Sequence, residues 1–97
     1  MLTIKKKTPT QYALEIKGRC LAPAMRIIDN LDEIEQFMVM ANIPCENWCI
    51  DERFGMVYIE GFGAIRIGQY VVVDDENGNL KVFDSISDLQ EEYEIVY

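Results

Sequence analysis

The sequence predicts an α+β fold, a small single domain spanning residues 1–97 and built on a mainly antiparallel sheet of about four to five strands. Several short segments alternate apolar and polar residues between turn signals, which is the pattern of half-buried strands. One longer segment, about residues 31–41, has helical spacing, and a short C-terminal one, about residues 88–93, follows serines that can cap a helix. A chain of 97 residues has room for one modest core, because so small a chain buries only about 60 to 65% of its unfolded surface.

The first predicted strand runs from Thr10 to Lys17, after Pro9. Tyr12, Leu14 and Ile16 alternate there with Gln11, Ala13 and Glu15, so one face is expected to be buried. Gly18 is expected to end this strand. The following segment, Cys20 to Asp29, fits either a helical turn that starts at Pro23 or an extended connection.

The longer helix is predicted over about Leu31 to Ala41, where apolar residues recur every three or four positions. Asn30 is the expected N-cap, and Glu33 lies three residues later, which is the spacing of a reciprocal capping box. Asn42 and Pro44 are expected to end the helix, since both disfavour its continuation.

The rest of the chain is predicted to form strands and one short helix. The expected strands are Asn47 to Arg53, Met56 to Glu60, Ala64 to Asp75 and Asn79 to Asp84. Gly68 is expected to mark a bulge or bend, and the apolar run from Tyr70 to Val73 suits a central strand. Ser85 or Ser87 can cap the last helix. This order of elements predicts a sheet that is covered on one face.

The charge of the chain narrows its possible partners. The formal net charge is −8 and the pI is near 4.4, which disfavours direct binding to nucleic acid and to anionic membranes. The first 19 residues hold five cations against one acid, whereas the last 24 hold eight acids against one lysine. These ends are either ordinary solvated surface or, at the C-terminal side, a face for a basic protein partner. The predicted residues of that acidic face are Asp74, Asp75, Glu76, Asp88, Glu91 and Glu92.

No apolar run approaches the roughly 18 to 20 residues that a membrane span needs, and the start of the chain lacks the apolar stretch of a signal peptide. The three cysteines are an odd set, unlike the even framework of a small secreted protein. We therefore expect a cytoplasmic protein.

The residue types argue against catalysis and against a bound metal. The loop that contains Asp75 and Gly78 resembles a calcium loop, but Val73 occupies the position of the first ligand and has no oxygen to offer. Asn77 and Gly78 instead predict a hairpin turn. The chain has no histidine, which removes the commonest general base and the usual zinc ligand. No catalytic residue, metal or cofactor is predicted, and the chain is not expected to be an enzyme.

Residues 56–94 contain three short motifs, at Gly68 to Val72, at Gly78 with Leu80 to Phe83, and at Leu89 to Glu94. With these motifs the segment resembles a widespread group of small phage and prophage proteins of uncharacterised role, and a phage-encoded protein of this kind is expected in the host cytoplasm. The family pattern G-D-Y-I-I corresponds to Gly68 to Val72, with Gln69 in place of the usual aspartate. The pattern G-E-F-Y corresponds to Gly78 with Leu80 to Phe83, and the closing F-x-x-x-Y-E to Leu89 to Glu94. These are turn and core positions, so they specify a fold rather than an activity. The resemblance implies a phage-associated accessory protein without a known catalytic site.

Three functional hypotheses follow. The first is a non-enzymatic accessory protein of phage or prophage type that binds a protein partner through its acidic face, such as an inhibitor of a host defence protein. The second is a structural subunit that forms a homo-oligomer through an edge strand or through Cys20 to Asp29. The third is an enzyme or small-ligand binder with a pocket near Trp48, Tyr58 and Tyr70.

Overall fold

A computed structural model describes residues 1–5, 10–22, 25–74 and 79–96, with the backbone alone for residues 10, 11 and 74. It confirms the α+β class. The described residues hold more strands than expected, ten in three antiparallel sheets, together with two α-helices. The strands are β1 (Leu2–Lys5), β2 (Thr10–Glu15), β3 (Gly18–Ala22), β4 (Met25–Ile28), β5 (Trp48–Asp51), β6 (Met56–Ile59), β7 (Gly63–Arg66), β8 (Tyr70–Asp74), β9 (Asn79–Phe83) and β10 (Glu94–Ile95). The helices are α1 (Leu31–Met40) and α2 (Ile86–Glu92), and a short 3₁₀ turn spans Cys45–Asn47.

The largest sheet has five strands in the order β10-β1-β2-β8-β9. Strand β8 lies inside it, between β2 and β9, as its apolar run predicts. Adjacent valines of β8 point to opposite faces, and both Val71 and Val72 are fully buried. In β2, the same holds for Leu14, which pairs with Val71, and for Ala13, which pairs with Val72.

The expectation that one face of the sheet is covered is therefore wrong, because apolar residues pack on both. On the face of Leu14 and Val71, the core is completed by α1 and by the sheet of β5, β6 and β7. Those elements supply Ile34, Phe37, Met38, Val57, Ile59 and Ile65. On the face of Ala13 and Val72, the core is completed by Leu89 of α2 and by Tyr93, whose ring meets that of Phe83 edge-on at 5.9 Å between centroids.

The three-stranded sheet has the order β5-β6-β7. The chain passes from this sheet to the five-stranded sheet around Gly68. The predicted strand from Ala64 to Asp75 is in fact two strands in two different sheets, β7 and β8. Gly68 lies between them with φ of +94°, a conformation that glycine adopts without steric cost. Its N–H donates to the carbonyl of Ile16 at 2.8 Å, so the chain changes sheet where it crosses the end of β2.

Asn30 precedes α1, but it does not form the predicted capping box. Its side chain makes no hydrogen bond to a helix N–H. Its amide instead donates to the carbonyl of Glu15 at 2.6 Å and to the carboxylate of Glu33 at 3.1 Å, and its oxygen accepts from the N–H of Lys17 at 3.0 Å. Asn30 thus ties the start of α1 to the end of β2.

The end of α1 agrees with the predicted stop at Asn42. This residue has φ of +58°, the left-handed conformation that closes many helices. Its N–H donates to the carbonyl of Val39 at 3.1 Å, and the N–H of Ile43 donates to that of Met38 at 2.9 Å. This pair of bonds is a Schellman motif.

The segment for which the sequence left two alternatives is extended. Strands β3 and β4 pair as an antiparallel hairpin, with a register shift between Cys20 and Ala22. Gly18, expected to end the first strand, begins β3. A Cβ atom on Gly18 would lie 2.4 Å from both the Ile27 carbonyl oxygen and the Ile67 Cδ1, so only glycine fits where the hairpin leaves the body of the protein.

Substitution of Asn42 tests the backbone at the end of α1. We expect Asn42→Ala to lower the free energy of unfolding by about 1 kcal/mol, because an ordinary L-residue is strained in the left-handed conformation. Asn42→Gly should leave stability unchanged or raise it. Chemical denaturation measures both variants. An equal loss in both would show that the Asn42 side chain, rather than its φ angle, stabilises this end.

Substitution of Gly18 tests the base of the hairpin. Gly18→Ala should lower the free energy of unfolding by about 1 to 3 kcal/mol, because the backbone carbonyl of Ile27 must move to admit the methyl group. Thermal and denaturant unfolding measure this loss. The double variant Gly18→Ala with Ile67→Val relieves only the side-chain part of the clash, so it should recover a fraction of the loss. Unchanged stability in Gly18→Ala would contradict the close contact.

Candidate functional site

Helix α2 carries the described part of the predicted acidic face, and its local sequence explains where it forms. Ser85 is the N-cap, and its hydroxyl oxygen accepts from the N–H of Asp88 at 3.2 Å. Leu89 is fully buried and fixes the helix on the five-stranded sheet. The N–H of Tyr93 donates to the Leu89 carbonyl at 2.9 Å and closes the last turn. The helix starts two residues earlier than expected. The side of the helix opposite Leu89 is exposed to solvent.

Asp88, Glu91 and Glu92 are all exposed on α2. Glu91 and Glu92 follow Asp88 by three and four residues, so all three lie on one side of the helix. Asp88 lies in the first turn, where a carboxylate is favoured by the helix dipole, but the last turn contains no basic residue. Glu91 and Glu92 therefore oppose the dipole at that end. Their placement costs the helix stability instead of adding to it.

A shallow groove of about 430 Å³ runs beside these residues, between α2 and the edge strand β10. Three carboxylates and one ammonium group line it, those of Glu91, Glu92, Glu94 and Lys5. Tyr93 and Ile95 contribute its apolar part. We call this region, formed by Asp88 and the groove residues, the α2 surface. Its charge is negative even with Lys5 counted.

Lys81 of β9 balances part of this charge. Its ammonium group donates to Glu92 at 2.8 Å, and both side chains remain about two-fifths exposed. An ion pair that is this exposed contributes little to stability. For the other two carboxylates of the groove, those of Glu91 and Glu94, no ion pair with a described residue is found.

The other predicted residues of the acidic face are Asp74, which ends β8, and Asp75 and Glu76, which follow it in the sequence. Strands β8 and β9 pair in the expected hairpin, with Asp74 opposite Asn79. Asp75, Glu76 and the predicted turn residues Asn77 and Gly78 lie outside the described residues, as does the side chain of Asp74. The structure therefore brings together Asp88, Glu91 and Glu92, and it adds Glu94 and Lys81, which the sequence did not single out.

The aromatic residues proposed to line a pocket do not lie together. Trp48 pairs with Ile59 and packs on the core, whereas Tyr58 follows Val57 on the opposite face of the same sheet and is exposed. Tyr70 lies in the five-stranded sheet. Among the described residues, no group of three acidic, cysteine or histidine side chains is arranged to hold a metal ion. All three cysteines are free thiols and exposed.

A second polar region, a cavity of about 230 Å³, lies where the start of the chain meets α1. The α-ammonium group of Met1 contacts the Glu33 carboxylate at 2.6 Å. This hydrogen bond lowers the pKa of Glu33 from its usual value, and the bond from Asn30 lowers it further, against a smaller opposing effect of burial. Tyr70 donates to Glu15 at 3.0 Å, and burial, followed by this carboxylate, raises the pKa of the phenol. Glu33 pairs with the α-ammonium group and Glu15 accepts from Tyr70, so we assign these polar groups a structural role in connecting the start of the chain, β2, α1 and β8.

Neither helix in the described part of the chain is long and apolar enough to cross a membrane. No protein-family model matches the chain, and no significant match is found among the curated proteins or the solved structures.

The contact between Met1 and Glu33 predicts a dependence of stability on pH. Because the folded-state pKa of Glu33 is lowered, its contribution is complete above the unfolded pKa of about 4.3 and is lost as pH falls through the folded value. Glu33→Gln should cost about 1 kcal/mol at neutral pH, and this difference should vanish in acid. Denaturation curves from pH 7 to pH 3 measure it.

Glu35→Gln is the matched control, because Glu35 is an exposed residue of the same helix. It should leave the free energy of unfolding nearly unchanged across this range. A loss in Glu33→Gln that persists at low pH would show that its effect does not come from the charge.

Proposed function

We propose that this chain is a non-enzymatic protein-binding module, of the phage accessory type that residues 56–94 resemble, and that it binds a basic protein of the host through the α2 surface. An inhibitor of a host defence protein is the form of this function that we favour. The observation that carries the proposal is the placement of Glu91 and Glu92 at the C-terminal turn of α2, a turn that contains no basic residue of its own to compensate the helix dipole. A partner that supplies cations would remove this cost.

The shape of the surface supports a protein partner. The groove is shallow, and three of its side chains carry the same charge, whereas small-molecule sites are usually concave and mostly apolar. A convex acidic helix can meet a wide basic surface, including one that normally holds a phosphate backbone. Attraction of this kind raises the rate of encounter more than it raises the final affinity. Binding should therefore be sensitive to salt.

The net charge of −8 favours a basic partner over nucleic acid, since phosphate backbones reward lysine and arginine. The phage assignment depends on the resemblance in the turn and core positions of residues 56–94. The α2 surface depends on the positions of Asp88, Glu91, Glu92 and Glu94. These two parts of the proposal are separate, so each can stand without the other.

Charge reversal on α2 tests the proposed binding surface. The variant Asp88→Lys with Glu91→Lys leaves the buried Leu89 and the Glu92 ion pair in place. We expect the wild-type protein, immobilised, to retain a basic protein from bacterial lysate at low salt and to release it at high salt. The variant should lose this retention, because cations now face the partner. Mass spectrometry of the eluate identifies the retained protein.

The variant Asp32→Lys with Glu35→Lys is the control, because it makes the same change in net charge on the exposed side of α1. It should retain the partner. A separate variant, Asp75→Lys with Glu76→Lys, tests the rest of the acidic face predicted from sequence. Equal loss in the α1 and α2 variants would point to net charge alone, and full retention by the α2 variant would contradict the proposal.

A further inference from the structure

The β3–β4 hairpin is far more exposed than the rest of the described chain. From Gly18 to Ala22 no residue is buried, and in β4 only Ile28 is. Leu21 and Met25 are 56% and 54% exposed. A two-stranded hairpin is marginally stable in water on its own, so this one depends on its base at Gly18 and on whatever covers its apolar side chains.

The charge of the hairpin is opposite to that of the chain. Residues 18–28 contain Arg19 and Arg26 and no acid. Arg19 contacts Asp29, just past the hairpin, at 3.8 Å, and this pair is largely exposed. Arg26 is exposed and donates to the Phe54 carbonyl at 3.4 Å. The hairpin is therefore a cationic ribbon with apolar side chains.

Phe54 extends this surface beyond the hairpin. Its ring is 57% exposed, and the guanidinium group of Arg53 lies 5.9 Å from its centroid. Gly55 lies close to Arg26: a Cβ atom added to Gly55 would be 3.0 Å from the Cβ of Arg26. Asp51 and Glu52 precede Arg53, so the excess of cations is on the hairpin itself. Exposed arginine and aromatic side chains are enriched where proteins bind one another.

The α2 surface has the complementary properties. Among the described residues, its groove is lined by the carboxylates of Glu91, Glu92 and Glu94 and by the ammonium group of Lys5, with Tyr93 and Ile95 as its apolar part, and Lys81 pairs with Glu92 at 2.8 Å. The neighbouring Val96 is 44% exposed. A ribbon with two arginines and two apolar side chains complements a groove whose described lining has more carboxylates than ammonium groups and an apolar wall.

We propose that the β3–β4 hairpin of one copy docks in the α2 groove of a second copy, so that the chain associates head to tail. This inference depends on the proposed role of the α2 surface in binding, and it names a second occupant of that surface. Such a contact joins two different patches of the protein. An open assembly of any length therefore has one free hairpin at one end and one free groove at the other. Association masks the α2 surface in every copy except the one at the end.

The net charge of −8 does not prevent this contact at physiological salt. Interactions between exposed charges are largely screened beyond about 8 Å at that ionic strength. The longest dimension of the molecule is 42 Å. The local pairing of arginines with glutamates therefore outweighs repulsion between the remote parts of two copies.

Sedimentation velocity over a concentration series, under reducing conditions, tests the proposal. The mean mass of the wild-type protein should rise with concentration. The hairpin variant Arg19→Glu with Arg26→Glu and the groove variant Glu91→Lys with Glu94→Lys should each weaken association by about tenfold or more. An equimolar mixture of the two variants should recover it, because each reversed patch then meets a complementary one.

Two further variants separate docking from disulfide formation and from the effect of charge. Cys20→Ser should associate like the wild type, which shows that no disulfide at the exposed Cys20 thiol is needed. Leu21→Ser with Met25→Ser should weaken association without a change in charge. This variant serves as the second hairpin test if the arginine variant does not fold.

A wild-type protein that is strictly monomeric at high concentration would overturn the inference. So would association that persists in the hairpin variants, or a mixture that stays monomeric. These outcomes leave the proposed function untouched if α2 reversal still abolishes retention of the host protein. Conversely, self-association that responds to both patches, with no host protein retained, would contradict the proposed function alone.

Discussion

The pairing of β2 with β8 is the constraint on which the rest of the structure depends. These strands lie inside the five-stranded sheet, and neighbouring residues of each are buried on opposite faces. Leu14 and Val71 belong to the core beneath α1, and Ala13 and Val72 to the core beneath α2. One ladder therefore fixes the register of both cores. A slip of one residue would exchange the two sets of side chains between the faces.

The sequence predicts those elements whose apolar residues repeat regularly, or form a run, within a short stretch of the chain. Helix α1 repeats its apolar residues over several turns, and β8 has a run of valines next to a turn. The short strands β1 and β10 were not predicted, since β1 buries only Ile4 and the two residues of β10 form a strand only by pairing with β1. The pattern does not indicate burial on both faces, because alanine gives a weak apolar signal and Ala13 shares its side of the strand with the polar Gln11 and Glu15.

Some residues of the candidate site could likewise be predicted from local sequence, whereas others join it only through contacts that are distant in sequence. The serine cap and the spacing of Asp88, Glu91 and Glu92 are local, so the acidic side of α2 could be predicted. Glu94 joins the groove through the pairing of β10 with β1, and Lys81 of β9 contacts Glu92 of α2, which is 11 residues away in the sequence. For the segment that forms the basic hairpin, the sequence left a helical turn and an extended connection open, because the close approach of Gly18 to Ile67 joins residues that are distant in sequence. Non-local contacts of this kind leave no periodic signal.

The three cysteines have a practical consequence. Cys20 is on the hairpin, Cys45 begins the turn after α1, and Cys49 is on the outer face of the three-stranded sheet, and all three thiols are exposed. None belongs to the five-stranded sheet or to α2. A maleimide resin or fluorophore would thus attach to the protein away from its acidic helix. Coupling through Cys45 or Cys49, with Cys20 replaced by serine, would immobilise the chain in orientations that leave both α2 and the hairpin unmodified.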